Sequence, residues 1–259
     1  MRAATTPAAR PSAGAPTVSV YDTTLRDGAQ QQSVSFTVAD KLAVARLLDG
    51  LGVAYIEGGW PGAVPKDTEF FARARDELDL TASRLAAFGS TCRAGSAAEH
   101  DEQVRALIDS GAPVVTIVAK SDPLHVERAL RTTAAENLRM VRDTVGLLVA
   151  AGRETMVDLE HFFDGLSRDP RYGIEVALAA ARAGAGAVVA CDTNGGTLPG
   201  AVAAAVSRLR SALNEAGRPE CVVGIHTHDD AGLAVAGALA AVGAGARQVQ
   251  GCEIGRAHV

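Results

Sequence analysis

The strongest constraint in this sequence is a rhythm. Short apolar runs of strand length alternate with segments of helical spacing, from Val18-Ser19-Val20-Tyr21 onward. Strands are expected at residues 54–57, 85–88, 114–119, 155–160, 187–191 and 221–226, and an eighth begins at 247–250. Helices are expected at 38–51, from about 67, and at 99–110, 133–151, 173–183, 200–216 and 232–242. Strand–helix alternation favours a parallel sheet, and eight strands with seven helices is the count of a (β/α)8 barrel, which 259 residues suit as one domain. A doubly wound open sheet is the alternative. Against it, polar clusters recur at strand ends: Arg26-Asp27, Glu57, Lys120-Ser121, Glu160-His161, Asp192-Thr193-Asn194 and His226-Thr227-His228. In a barrel those ends converge on one mouth.

The seventh run ends in Gly224-Ile225-His226-Thr227-His228-Asp229-Asp230. Residues two apart on a strand project to the same side, so His226 and His228 face one way just before a helix begins. Two neutral imidazoles with carboxylates nearby make a mixed N/O site for a divalent metal, which needs a third ligand from elsewhere. Two histidines satisfied by local hydrogen bonds are the other reading of so short a motif.

Charge excludes some partners. A formal net charge of -5 with no basic face gives no footing for nucleic acid. No apolar run approaches the ~20 residues of a membrane helix. Cys92, Cys191, Cys221 and Cys252 show no paired spacing and read as reduced thiols of a cytoplasmic protein. Residues 1–16 have no apolar leader and are expected to form a disordered tail.

Two motifs, Asp22-Thr23-Thr24-Leu25-Arg26-Asp27-Gly28 after strand one and His226-Thr227-His228-Asp229-Asp230 after strand seven, resemble those of the DRE-TIM metallolyases, a family of pyruvate-carboxyltransferase-type barrels. Gly59-Trp60-Pro61-Gly62, the run from Pro65 to Phe71, Glu160 to Gly165 and Cys191 to Pro199 are similar to its synthase branch. The likeness runs from Val18 to Gly251. It implies a metal-dependent acyltransferase that condenses acetyl-CoA with pyruvate, giving citramalate and CoA for isoleucine biosynthesis. It also implies roles: Asp27, His226 and His228 as metal ligands, Arg26 as the guanidinium on the keto oxygen, and Glu57 as a catalytic glutamate. Thr193 would contact the ketoacid carboxylate, Glu160 would line the substrate pocket, and Gln30 would be a looser substrate contact. Partners would be small molecules, with the parent protein a homodimer. 2-Oxoisovalerate and 2-oxoglutarate remain alternatives to pyruvate. So do C–C cleavage of a 3-hydroxy-3-methylglutaryl thioester and a non-catalytic metal-binding barrel.

The implied chemistry suits the residues. A 2-ketoacid carries its carbonyl and carboxylate on adjacent carbons, a chelate for Mg²⁺ or Mn²⁺, and the ion polarises the carbonyl. Zn²⁺ would accept the same two His and one Asp. An Arg fixed on the nascent alkoxide gains interaction energy as the C–C bond forms. Each feature keeps a plainer alternative: Arg26-Asp27 as a structural ion pair, Glu57 satisfying backbone donors, residues 192–194 as an Asx turn. Trp60 and Phe162-Phe163 read as packing, and Cys191 as core.

The family pattern continues after strand eight with Gly-Thr-x-Asn-Gly-x-Gly-Glu-Arg and then a Gly-Asn whose Asn also binds the metal. Here Cys252 to Val259 departs from it, and one DNA reading of Glu253 to Val259 matches a sequencing-adapter string. The expectation is a barrel incomplete at its C-terminal end, with strand eight only partly present and helix eight missing. A foreign tail at 252–259, an uncovered apolar flank and poor activity are expected with it.

Overall fold

The computed structural model describes residues 17–253. The expected tail at 1–16, residues 254–259 and whatever helix would follow strand eight lie outside the described residues. The strands are β1 (Ser19–Asp22), β2 (Tyr55–Gly59), β3 (Arg84–Ser90), β4 (Val114–Lys120), β5 (Glu154–Glu160), β6 (Ala187–Asp192), β7 (Val222–Thr227) and β8 (Gln248–Gly251). They pair in chain order, all parallel, and β8 returns to β1 to close a barrel. The open-sheet alternative is excluded.

The expectation of a partial final strand is corrected. β8 pairs through Gln248, Val249 and Gln250 with β7, and through all four of its residues with β1. A short strand closes the barrel because β1 opposite it is equally short. Outside this seam Val20 is 50% exposed, as are Val235 and Leu239 nearby on α9 (Ala234–Gly243) at 74% and 68%.

The helices on the outer layer are α1 (Val38–Leu51), α2 (Pro65–Glu77), α3 (Glu102–Asp109), α4 (Pro123–Arg128), α5 (Ala134–Ala150), α6 (Phe162–Arg168), α7 (Tyr172–Arg182) and α8 (Pro199–Glu215), followed by α9. Parallel neighbours need long crossovers, and each carries at least one helix. α1 shows how local sequence sets the bounds. Thr37 and Asp40 form a reciprocal capping box at its start, and Gly52 ends it in the left-handed region at φ 80°. Two helices had no periodic signature in the sequence. α4 and α6, six and seven residues long, are too short for an amphipathic repeat to show.

Most of the core lies between sheet and helices. Inside the barrel, residues two apart stack in layers. Ala86, Val114, Met156 and Ala187 make an apolar floor with Tyr21. Above it the interior turns polar, with Glu57, Thr116, Asp158, His226 and Gln250 all buried. Among the described residues no helix is long and apolar enough to cross a membrane.

Candidate active site

The loop after β1 aims two functional side chains at once. Thr24 donates through its backbone N and its hydroxyl to the Asp22 carboxylate, at 2.9 and 3.0 Å. The backbone N–H groups of Arg26, Asp27 and Gly28 all point at the Thr23 carbonyl. The resulting tight turn lifts Arg26 and Asp27 into the barrel mouth. Opposite, the loops after β6 and β7 are laced together: Ala231 N–H donates to the Gly195 carbonyl, and His228 N–H to that of Asp192. Gly195, at φ 61°, sits so close that a Cβ there would collide with Asp230.

Asp27, His226 and His228 bring one carboxylate oxygen and two ring nitrogens within 4.8 Å of one another. Asp27 Oδ2 lies 3.6 Å from His226 Nε2 and 3.7 Å from His228 Nε2. That is wider than a normal hydrogen bond and near the roughly 3.0–3.5 Å between donors that each sit ~2.1 Å from one ion. His228 Nδ1 meets the Thr193 carbonyl at 2.8 Å. A carbonyl only accepts, so Nδ1 carries the proton and the lone pair of the neutral ring is at Nε2, toward Asp27. His226 Nδ1 meets Gln250 Oε1 at 2.8 Å. Burial pulls the His226 pKa down, but the Asp27 and Asp158 carboxylates outweigh it and leave it raised. The donor set fits a divalent cation.

The triad forms one wall of a cavity of about 520 Å³ that Arg26, Gln30, Glu160 and Thr193 also line. A second cavity, of about 390 Å³, touches the same three residues from the side of α9 and β8. Glu57 is absent from both linings. It is fully buried beneath Arg26, accepting from its Nε at 2.6 Å and from the Tyr21 hydroxyl at 3.0 Å. Tyr21 in turn shares a 2.7 Å bond with Thr116. The Arg26 guanidinium lies over the Phe88 ring, 3.9 Å from its centroid, with Nη1 3.4 Å from Asp27. Burial alone would lower the pKa of Arg26, yet Glu57 and Asp27 raise it further. The cation is fixed in place and in charge.

Glu160 is not a lone carboxylate, because Lys120, its register partner on the neighbouring strand β4, forms an ion pair with it. Thr193 divides its duties: its hydroxyl accepts from His161 N–H at 2.9 Å and its carbonyl holds His228. The neighbouring Asp192 braces the loop after β6 by accepting from Thr197 N–H and hydroxyl, five residues on. Trp60 reaches the same cavity and packs edge-on against Phe88. Phe162 and Phe163 are buried in the core. Cys191 lines the cavity too, but burial pushes its thiol well above the ordinary range, which leaves it a poor nucleophile.

Sequence reasoning missed Asp158 and Gln250 as parts of this site. Each carries a signal: Asp158 is two residues before Glu160 on β5, so it shares that strand's inner side, and Gln250 follows Gln248 by two on β8. Burial pushes the Asp158 carboxyl from its ordinary 3.8 up to about 6, and Glu57 adds to the rise, while His226, Arg26 and Gln250 act against it. An acid whose pKa rises on folding keeps its proton where the unfolded chain has lost it. Stability therefore falls as pH climbs from about 4 to about 6. Asp158→Asn removes that cost. The variant is expected to melt several degrees above the parent near pH 7, with the gap closing below about pH 4. Equal melting temperatures near pH 7 would count against this account of the buried carboxyl.

The family described as HMGL-like matches residues 17–256 of the chain. The (R)-citramalate synthase of Streptomyces coelicolor is 58% identical over 231 residues, 89% of this chain and 42% of that protein. The (R)-citramalate synthase of Synechocystis is 47% identical over 234 residues, 90% of this chain and 43% of that protein. The chain thus spans less than half the length of these relatives. A crystal structure of hydroxymethylglutaryl-CoA lyase from Pseudomonas aeruginosa superposes with a TM-score of 0.75 at 22% identity, over 92% of this chain and 76% of that one. At that identity the likeness is one of fold.

Proposed function

Since this chain belongs to the HMGL-like family, we propose that it carries the active site of an acyltransferase condensing acetyl-CoA with pyruvate to give citramalate and CoA. One observation carries the reading: a largely buried N/O triad and a locked guanidinium line one cavity at the barrel mouth. The two (R)-citramalate synthases at 58% and 47% identity support pyruvate as the ketoacid.

In this reading Asp27, His226 and His228 hold a divalent cation, Mg²⁺ or Mn²⁺ before Zn²⁺, which when bound polarises the ketoacid carbonyl. Arg26 donates to the same oxygen and gains most as it becomes an alkoxide. Glu57 is a positioning residue that fixes where the guanidinium points. Thr193 and Gln30, which line the same cavity beside the triad, would contact the ketoacid carboxylate, and the Lys120–Glu160 pair borders the cavity without adding net charge. The reading includes a homodimeric parent protein in the cytoplasm, the dimer to be tested by light scattering.

The test is CoA release from acetyl-CoA by the parent protein, completed from its genomic locus, with Mg²⁺ or Mn²⁺, across pyruvate, 2-oxoisovalerate and 2-oxoglutarate. Release is expected with pyruvate, and it should vanish with a chelator, with Asp27→Ala and with His226→Ala. Preference for a larger ketoacid would overturn the substrate, and no release with any of them would overturn the reaction.

A further inference from the structure

Gln250, Asp158 and His226 are 3%, 4% and 7% exposed, so their polar atoms must satisfy one another rather than water. Gln250 stands opposite His226 in the β7–β8 register. Its Nε2 is 3.0 Å from Asp158 Oδ1, and its Oε1 is 2.8 Å from His226 Nδ1. Each hydrogen bond then dictates the next. An ionised carboxylate only accepts, so the amide NH₂ faces Asp158. The amide oxygen therefore faces His226, and it too only accepts, so Nδ1 must carry the imidazole proton. A neutral ring has one N–H, which places the lone pair on Nε2, the atom 3.6 Å from Asp27.

We propose that Gln250, oriented by Asp158, is a positioning residue that sets the tautomer and aim of His226, so that β5 and β8 prepare Nε2 for a divalent cation. The proposal rests on reading Asp27, His226 and His228 as a metal site. It has an internal control, because a backbone carbonyl sets His228 and no side-chain replacement removes that carbonyl. Partners of this kind typically change metal affinity 10–100-fold when lost.

The experiment labels the chain with ¹⁵N-histidine and records imidazole ¹H–¹⁵N correlations without metal, at a pH where the rings are neutral. Mn²⁺ titration of the same samples gives affinity. In the parent both His226 and His228 should be Nδ1–H. Gln250→Met keeps the side-chain length but has no comparable acceptor. It should show mixed tautomers at His226, an unchanged His228, and Mn²⁺ affinity weaker by about 10–100-fold. Gln250→Glu retains an acceptor and should keep the His226 tautomer. Asp158→Val leaves Gln250 in place but removes what orients its amide, and it should again give a mixture, a test that stands even if Gln250→Met does not fold. A clean Nδ1–H signal for His226 in either the Met or the Val variant, or a mixture in Gln250→Glu equal to that in Gln250→Met, would overturn the proposal. Neither readout needs turnover, so the result is separable from the fate of the proposed reaction.

Discussion

Arg26→Lys is expected to slow CoA release about a hundred- to a thousand-fold while leaving Mn²⁺ binding and the melting temperature near those of the parent. The reason is the number of directions in which this side chain is held. Nε is engaged by the buried Glu57, the flat face rests on Phe88, and Nη1 lies beside Asp27. An ammonium is one point charge on a flexible stem and cannot hold Glu57 while presenting a fixed donor to the cavity. Removing a preorganised donor to a developing oxyanion typically costs about 3–4 kcal/mol in the transition state. The effect should fall on kcat more than on KM, since the interaction strengthens as charge develops. Steady-state kinetics with the ketoacid varied would check it. A kcat within a few-fold of the parent would remove Arg26 from the chemistry.

The largest expected effect on stability lies behind β2. Lys41, on α1 and 1% exposed, forms an ion pair with Asp67 of α2 and donates to the Gly58 carbonyl at 2.9 Å. Asp67 also accepts from Trp60 N–H at 2.8 Å, so one carboxylate ties α1, α2 and the loop that carries Trp60 into the mouth. The β2–β3 register shifts between Glu57 and Gly59, and Gly59 at φ 141° leaves no room for a Cβ beside Asp67. Lys41→Met leaves a buried carboxylate without its counter-charge, which typically costs about 3–5 kcal/mol. For a domain of this size that is roughly ten degrees or more in melting temperature. Lys41→Met with Asp67→Leu should recover only part of it, because Trp60 N–H would then lose its acceptor. Thermal and urea melts of the three proteins would check this, and a single-variant loss under about 1 kcal/mol would rule out a structural role for the pair.

The fold was legible because its signal is repeated. The middle strands are mostly apolar, broken only where a residue such as Thr116 or Asp158 faces the interior, and α1 matched its expected bounds through a cap at one end and a glycine at the other. Arg26, Asp27, His226 and His228 were legible because they sit at the ends of those runs, where a barrel collects its functional groups. What stayed hidden depends on which groups meet across the barrel. Nothing local marks Lys41 as buried within a run of helix, and the spacing that puts Gln250 on the inner side of β8 does not show that it meets His226 and Asp158 there. Glu57 was expected as a catalytic glutamate; it lies buried beneath Arg26, outside both cavity linings, and accepts from the Arg26 Nε. The final strand was expected to be partial because the family pattern breaks off after Gly251, while closure asks only that β8 match the four residues of β1.

The site draws its proposed ligands from both ends of the described chain: Asp27 follows β1, and the histidines close β7, roughly 200 residues later. An ion held by all three would act as a clasp over that span, pinning the first strand to the penultimate one across a seam only a few residue pairs long. Binding would then be linked to folding, with stability rising as the logarithm of cation concentration above its dissociation constant. Order of assembly follows too. No nascent chain can own this centre until β7 has arrived, so cation capture would come late in assembly rather than direct its start.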